Sequence, residues 1–567
     1  MTNQEIADLL RSVAAAYSMK GLNRFQIIAY EGAADGIEHA TSDVTDLWKH
    51  EGKEGLKQIP GIGEGIAVHL DELFRTGQVA HFEDVLKDYP EGLFSLLKVP
   101  GVGPKTALKL VELGVDDLRG LKNAIQDRSI EGKVTDKLLM KLREGLEEYQ
   151  KRSDRMLLPM AEELADIIVG YLTKAPFIRK ADPLGSLRRK VSTIGDIDIA
   201  VASDDIKKVK AHLLDLPILG KILEEGETTL TLVLKNGIRV DIMVQPLTSY
   251  GALIQHFTGS KHHNIKLRSY ANKRGFSLSE HGIKEIKSKT LLPVEDEGKI
   301  YELLGMQVPP PEIREDTGEI EAAIDQKLPV LVALGDIKGD VHTHTTWSDG
   351  HNSVSEMAEK AKNLGYKYMA ITDHSYPNLD FSKRIKQIEQ YNDSENGIRV
   401  IIGLEVNITA SCGLQVSDRV LSEHEFILAS IHSSFRQDKE TITKRLVYAL
   451  EHPLVNGIAH PTGRILLERS GYEADWEKVF EACLKYDKFL EINSFPDRMD
   501  LPDILVREAV GKGVKLVVNT DSHHLEHMTL MKYGVGVARR GWTTKKSILN
   551  ALDLPEFVKE AHVRLRK

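Results

Sequence analysis

Apolar positions change their period twice along the chain. Through residues 1–150 they recur every three or four residues, as in EGIAVHLDELF and DKLLMKLREGLEEY, which predicts amphipathic helices separated by glycine-bearing turns. From residue 155 a helical run, MLLPMAEELADIIVGYL, gives way to the alternating runs DIDIAVA, TLTLVLK and IRVDIMV, which read as strands. The Pro- and acid-rich stretch MQVPPPEIRED breaks both periods. From about 336 onward the short apolar runs KYMAIT, RVIIGLEV, FILASI, VNGIAH, KFLEINS and VKLVVNT alternate with helical segments. That rhythm predicts parallel βα units closing into a barrel.

A length of 567 residues fits three or four domains. With 41% apolar and 28% charged residues the balance is that of a globular protein with several cores. No run approaches the ~18 uninterrupted apolar residues of a membrane span, and the polar start MTNQEIADLL does not read as a signal region. Two cysteines, Cys412 and Cys483, exclude a disulfide scaffold and a Cys-rich zinc finger; a cytoplasmic protein without a membrane partner is expected. Net charge is −9, but residues 251–290 carry eight basic and two acidic side chains, a local +6 suited to a phosphate backbone.

Two segments forty residues apart, LKQIPGIGEGIAVHL (56–70) and LLKVPGVGPKTALKL (96–110), share one pattern. Each reads as helix, P-G-h-G turn (h apolar), helix. The glycines permit a tight turn, and the free N–H groups that open the second helix can hold a phosphate. The pattern resembles the helix-hairpin-helix motif, which grips DNA backbone without reading sequence. That resemblance puts Gly61, Gly63, Gly101, Gly103 and Lys105 against DNA and implies K⁺ or Na⁺ at the hairpins.

In GSLRRKVSTIGDIDIAV (185–201), Asp196 and Asp198 alternate along a strand and leave one face. Paired carboxylates repel unless cations neutralise them, and Asp241 in IRVDIMV can add a third from a neighbouring strand. Three carboxylates can hold two Mg²⁺ or Mn²⁺ ions for nucleotidyl transfer. Gly185, Ser186, Arg189 and Gly195 are the candidates for holding the triphosphate.

This run resembles the palm of X-family DNA polymerases, the group that includes DNA polymerase beta, and HFTGSKHHNIKLRSYANKRG (256–275) resembles that family's thumb segment. The resemblance implies Phe257 and Gly259 beside the incoming sugar, Asn264 at the minor-groove edge of the base, and Arg239, Lys261 and Arg268 near DNA. It covers about residues 1–315 and divides them into a lyase-like helical domain (1–80), fingers (81–150), palm (151–245) and thumb (246–315), with a linker over 316–335. Two positions depart from the family. His256 stands where a tyrosine helps exclude ribonucleotides, and His69 stands where a lysine forms the lyase Schiff base; an imidazole has no primary amine for that chemistry.

Residues 336–567 hold 12 of the 21 histidines. His342, His344 and Asp349 lie in GDVHTHTTWSDG; His374, Glu405, His432 and His460 end successive apolar runs; Asp521 and His523 follow the last. In a βα-barrel those ends converge on one face, so nine N and O ligands without thiolate would meet, a set for about three Mn²⁺, Zn²⁺ or Fe²⁺ ions. His351, His424, His452, His524 and His527 lack that placement and read as structural. The motifs resemble the PHP (polymerase and histidinol phosphatase) domain, a distorted (β/α)7 barrel phosphoesterase in which the glutamate, here Glu405, bridges two metals.

The reading is thus a multidomain α plus α/β enzyme: helix-hairpin-helix region, nucleotidyltransferase palm and thumb, and PHP barrel. It implies a monomeric DNA polymerase that uses deoxynucleoside triphosphates (dNTPs) to fill short gaps in DNA repair. The barrel would act as a 3′–5′ exonuclease or 3′-end phosphoesterase, with cutting at abasic sites as a further family activity. The alternative is a hydrolase whose polymerase-like half only targets it to DNA.

Overall fold

The computed structural model describes every residue except 2, 22–23, 39–43, 58, 60, 91, 154, 377–380, 395–396 and 567. The helical region up to Ser153 buries two separate cores. One is built on Ile6, Leu10, Val13, Leu70 and Phe82, the other on Leu93, Val99, Leu110, Leu121 and Leu142. The two glycine turns are conformational copies. Gly63 and Gly103 are extended caps (φ −91°, ψ 174° and φ −96°, ψ 174°) ahead of helices Glu64–Thr76 and Pro104–Glu112. Gly61 and Gly101 have φ of +88° and +84°. A Cβ at Gly61 would sit 2.3 Å from the Gly32 carbonyl oxygen, so only glycine fits that turn. Gln58 and Pro60 of the first copy lie outside the described residues.

The middle region is a five-stranded sheet of β1 (Lys180–Pro183), β2 (Ile197–Ala202), β3 (Leu219–Glu225), β4 (Thr229–Leu234) and β5 (Arg239–Gln245), in the order β1-β2-β5-β4-β3. Only β2 and β5 run parallel, and their register sets Asp198 directly opposite Asp241. Helix Leu158–Leu172 contributes Ala161, Ala165, Ile168 and Leu172 to the core behind the sheet. Helices Leu247–Thr258 and Lys261–Lys273 follow, with a small antiparallel sheet of β6 (Phe276–Ser279), β7 (Gly282–Glu285) and β8 (Leu291–Leu292).

Seven parallel strands form the C-terminal sheet in sequence order: β9 (Gly339–Thr343), β10 (Tyr368–Ile371), β11 (Arg399–Asn407), β12 (Phe426–Ser430), β13 (Gly457–Ile458), β14 (Phe489–Asn493) and β15 (Lys515–Asn519). A bridge between Thr343 and Ser522 joins the first strand to the end of the last and nearly closes the barrel. Its lower interior is apolar. Val341, Ile401, Phe426, Phe489 and Val517 pack with Phe557 of helix Leu554–Glu560, whose ring stacks on Tyr368 at 4.8 Å. Because strand side chains alternate, Glu405 shares a face with Ile401, and Glu491 with Phe489. The same face that is oily at the strand starts is therefore ligand-bearing at the strand ends.

Residues 316–335, expected as a linker, carry helix Glu319–Ile324, whose Ile320 and Ala323 belong to the thumb core. The segment then pairs with the barrel half at Leu331 and Thr544. The apolar spacing of EIEAAI supplies the reason: a helix of six residues is enough to bury two side chains. Among the described residues no helix is long and apolar enough to cross a membrane.

Candidate metal centres and nucleotide pocket

The palm centre follows from the β2/β5 register. Asp196 precedes β2 by one residue instead of lying within it, and its side chain is exposed; Asp198 and Asp241 are half-buried. Oxygens of the three all fall within 4.8 Å of one another. Asp241 accepts from the Thr231 hydroxyl at 2.6 Å and from Arg239 Nε at 3.2 Å. Burial, then the negative charges of Asp196 and Asp241, push the Asp198 carboxyl up to about 7. A divalent cation is the natural remedy for such repulsion, and an all-oxygen donor set suits Mg²⁺ or Mn²⁺. Gly185, at φ +58°, has Asp198 Oδ2 2.5 Å from where a Cβ would stand, so the turn that carries Ser186 can approach the carboxylates only as glycine.

Around this centre the structure groups most of the expected nucleotide-site residues. Arg189 donates from Nε to Glu315 at 2.9 Å and from Nη1 to the Thr258 carbonyl at 2.6 Å. A Cβ on Gly259 would lie 3.1 Å from that same Nη1. Gly195 lies against Arg155, which holds Thr193 at 2.8 Å. Phe257 stands beside His256, ring centroids 4.8 Å apart. The Asn264 amide donates to the His256 carbonyl at 2.6 Å and accepts from Gln255 at 2.8 Å. Arg268 donates to the His256 ring nitrogen at 3.2 Å. Lys261 is exposed at the start of its helix, and Arg239 reaches solvent beside Asp241.

The hairpin residues Gly61, Gly63, Gly101, Gly103 and Lys105 are all exposed, whereas Ile62 and Val102 between the glycines are buried. The turns therefore face outward on an apolar anchor. His69 is stacked on His81 at 4.8 Å and its Nδ1 is 2.9 Å from the Tyr30 hydroxyl; helix Glu64–Thr76 contains no lysine. Burial and then His81 lower the His69 pKa, which keeps the ring neutral.

In the barrel, all nine expected ligands converge. Glu405 is the hub: its Oε2 lies 2.8 Å from His374 Nδ1, 3.5 Å from His342 Nε2 and 3.6 Å from His344 Nε2, and its Oε1 lies 3.2 Å from His432 Nε2 and 3.0 Å from His460 Nε2. Asp521 Oδ1 is 3.4 Å from His342 and 3.2 Å from His344. Asp349 sits 3.3 Å from both His374 and His523. Three overlapping sets could each hold an ion: His342, His344 and Asp521; His374, Glu405 and His432; and His344, Asp349, His374 and His523. The donors fit metal ions, because His342 Nε2, both nitrogens of His344 and Glu405 Oε2 are buried without a hydrogen bond. Burial, then the neighbours His523 and His374, push His344 down to about 4, leaving a neutral imidazole with a lone pair to give. Burial opposes ionisation of Asp349, Glu405 and Asp521, yet the surrounding histidines hold all three well below the ordinary carboxylate range.

Sequence reasoning missed the shell behind these ligands. Glu491, wholly buried, accepts from the His342 ring at 2.8 Å, from the His460 backbone N–H at 2.7 Å and from Asn519 at 2.9 Å. The bond to His342 Nδ1 leaves Nε2 aimed at the metal set. Asp373, paired with buried Arg384 at 3.1 Å, accepts from the Thr345 N–H at 2.7 Å and Ser348 at 2.8 Å and so fixes the loop that carries Asp349. The available signal was a charge inside an apolar strand run, Glu491 in KFLEINS. His527, read as structural, stands behind a ligand and accepts from the His523 N–H at 3.3 Å.

Comparison with known proteins covers the same ground. Family models described as a helix-hairpin-helix domain, a SAM-like helix-hairpin-helix tandem, a DNA polymerase beta thumb and a PHP domain match residues 1–79, 94–143, 253–315 and 340–495. The chain is 37% identical to the DNA polymerase/3′-5′ exonuclease PolX of Bacillus subtilis (strain 168), over 98% of both chains. It is 24% identical to DNA polymerase lambda of Rattus norvegicus over 54% of this chain and 55% of that one. A Thermoanaerobacter protein described as a "Probable phosphatase" is 28% identical over 39% of this chain and 94% of its own length.

Proposed function

The chain belongs to the X-family DNA polymerases that carry a C-terminal PHP domain, and from that premise we propose that it fills short gaps during DNA repair and trims or cleans the 3′ end it extends. The observation that carries the synthetic half is the Asp196, Asp198 and Asp241 cluster beside the Gly185–Ser186 turn. Asp196, Asp198 and Asp241 would hold Mg²⁺ or Mn²⁺, which would supply charge to lower the pKa of a primer 3′-hydroxyl and to neutralise pyrophosphate. The chain's own groups orient the reactants. Asp241, steadied by Thr231 and Arg239, sits on the primer side. Ser186 and Arg189 offer donors to the triphosphate. Phe257, Gly259 and Asn264 line the sugar and base side. The exposed hairpin glycines, with Lys105, hold the DNA backbone.

Nine convergent candidate ligands, six of them buried and Asp349, His374 and His432 partly so, support an active hydrolase in the barrel. These residues would hold Mn²⁺, Zn²⁺ or Fe²⁺, which would supply a water of lowered pKa near neutral pH. Glu491 and Asp373 hold the ligand shell in place. A 3′-terminal phosphodiester or phosphate is the proposed substrate, with cleavage at abasic sites as an extension. One chain carries both centres, which supports a monomer acting on DNA and dNTPs.

The test uses the whole protein on a one-nucleotide gapped duplex with a labelled primer and Mn²⁺, with dNTPs supplied or withheld. Extension with dNTPs and shortening without them is the expected result. Shortening alone would leave the palm as a DNA-positioning scaffold.

A further inference from the structure

Arg540 of the barrel half bonds to Arg189, a candidate nucleotide-site residue of the palm. Arg540, at the end of helix Met531–Arg540, keeps a side chain only 9% exposed. Within the barrel half it is oriented by Asp503, whose Oδ2 accepts from its Nε at 2.7 Å. Its Nη1 then crosses to the polymerase half. It donates to the backbone carbonyl of Arg189 at 2.9 Å and to Glu315 Oε1 at 2.9 Å. That same Glu315 oxygen accepts from Arg189 Nε. Arg189 is thus held twice by one residue: directly at its backbone, and through Glu315 at its guanidinium. Together with the bond from Arg189 Nη1 to the Thr258 carbonyl, these contacts use Nε and Nη1 but not Nη2.

We propose that Arg540 is a positioning residue for nucleotidyl transfer, aiming Arg189 at the incoming triphosphate through the Arg189 carbonyl and Glu315. The proposal rests on the reading of Arg189 as a triphosphate ligand. A free guanidinium on a long side chain samples many rotamers, and fixing it beforehand removes that ordering cost from nucleotide binding. Asp503 supplies the rigid end of the lever, because it belongs to helix Asp503–Lys512 of the barrel half. The barrel half therefore serves synthesis without touching the reacting atoms, and removing it would loosen the nucleotide pocket.

The experiment is steady-state insertion of one nucleotide into a gapped duplex by the full chain carrying R540Q, R540K, E315Q, R189A or R189A/R540Q. R540Q is expected to raise the KM for dNTP roughly tenfold, the scale of one weakened charge-assisted contact. The kcat and the KM for DNA should change much less, and dNTP-independent shortening should be kept. R540K should recover part of the loss. The double variant should be no worse than R189A alone, since Arg540 acts through Arg189. E315Q approaches the same link from the other side and decides the matter if R540Q does not fold. An unchanged dNTP KM in both R540Q and E315Q, or losses that multiply with R189A, would overturn the proposal. So would a parallel loss of synthesis and shortening. If R189A itself leaves the dNTP KM unchanged, the triphosphate reading of Arg189 falls and takes this inference with it; if R189A raises it while R540Q does not, only the inference falls.

Discussion

The palm and the barrel solve the problem of holding cations in opposite ways. The palm offers three carboxylates, one of them exposed, at two neighbouring inner strands of an open sheet. The barrel offers six imidazoles and three carboxylates, with His342, His344 and His523 wholly buried and Glu405 nearly so. Mg²⁺ takes six oxygen ligands and keeps several waters, so three carboxylates are an incomplete site that substrate phosphates can finish. The barrel needs no such help: its donor sets overlap, and unsatisfied nitrogens are already aimed inward. A site that waits for substrate suits a reaction in which the substrate brings its own triphosphate and pyrophosphate leaves. A site that is complete beforehand suits hydrolysis, where water is always present.

The hardest blow to this contrast is to remove one centre and watch the other. D198A is expected to cut nucleotide insertion by roughly a thousandfold or more, the scale of losing a main electrostatic element of a transition state, while shortening of the same primer without dNTPs continues. H344A should do the reverse. Loss of both activities in either variant would mean that the centres are not separable.

Metal retention sharpens the same contrast. Protein passed into metal-free buffer should keep about three ions by elemental analysis, all lost in H344A and none lost in D198A. Chelation should lower the melting temperature, since bound metal stabilises by about 4 kcal/mol when free metal is a thousand times Kd. A D198A protein that retained less metal than the parent, or a melting temperature indifferent to chelator, would count against a self-sufficient barrel.

A smaller change probes why the barrel is self-sufficient. Glu491 touches no metal but hydrogen-bonds His342 and the backbone of His460. E491Q keeps the volume and removes the charge, so metal affinity and primer shortening should fall about 10- to 100-fold, with nucleotide insertion at its parental rate. Full metal content and full shortening in E491Q would reduce Glu491 to packing.

These centres were unequally legible in the sequence. Motif spacing names the candidate ligands that the fold brings together in both halves, because strand ends converge whenever βα units repeat and because a D-x-D pair opposite a third strand needs only register. The supports were not legible. Glu491 lies mid-strand, and whether an inward side chain meets a ligand depends on the barrel's tilt, which no local pattern encodes. Arg540 and Glu315 are 225 residues apart, and only the docking of the two halves pairs them. The linker expectation over 316–335 did not include helix Glu319–Ile324 for a related reason: six residues are too few for periodicity to show, and thumb packing decides it.

Acid should also tell the halves apart, with the smallest effect. In the barrel half, His424 is 2% exposed, donates from Nδ1 to the Val420 carbonyl at 2.8 Å, and has Nε2 buried without a partner. Burial, then the nearby Arg384 guanidinium, push its pKa down to about 3 from 6.5. The unfolded chain therefore binds a proton that the folded one refuses. Stability is full above pH 6.5 and is lost as pH falls from there toward 3, by about 2 kcal/mol at pH 5. In the polymerase half, burial opposes ionisation of Glu297, but Arg314 at 2.8 Å and Arg188 hold its carboxyl at about 2 against an ordinary 4.5. Its contribution is present above pH 4.5 and is lost only as pH falls toward 2. Between pH 6.5 and 5 the barrel half should weaken first. Melts at pH 7.5 and 5.0 should show a smaller drop in H424Q than in the parent, and an unaltered drop in E297Q. An equal drop in H424Q and parent would remove His424 as the source and leave the acid sensitivity of the two halves indistinguishable.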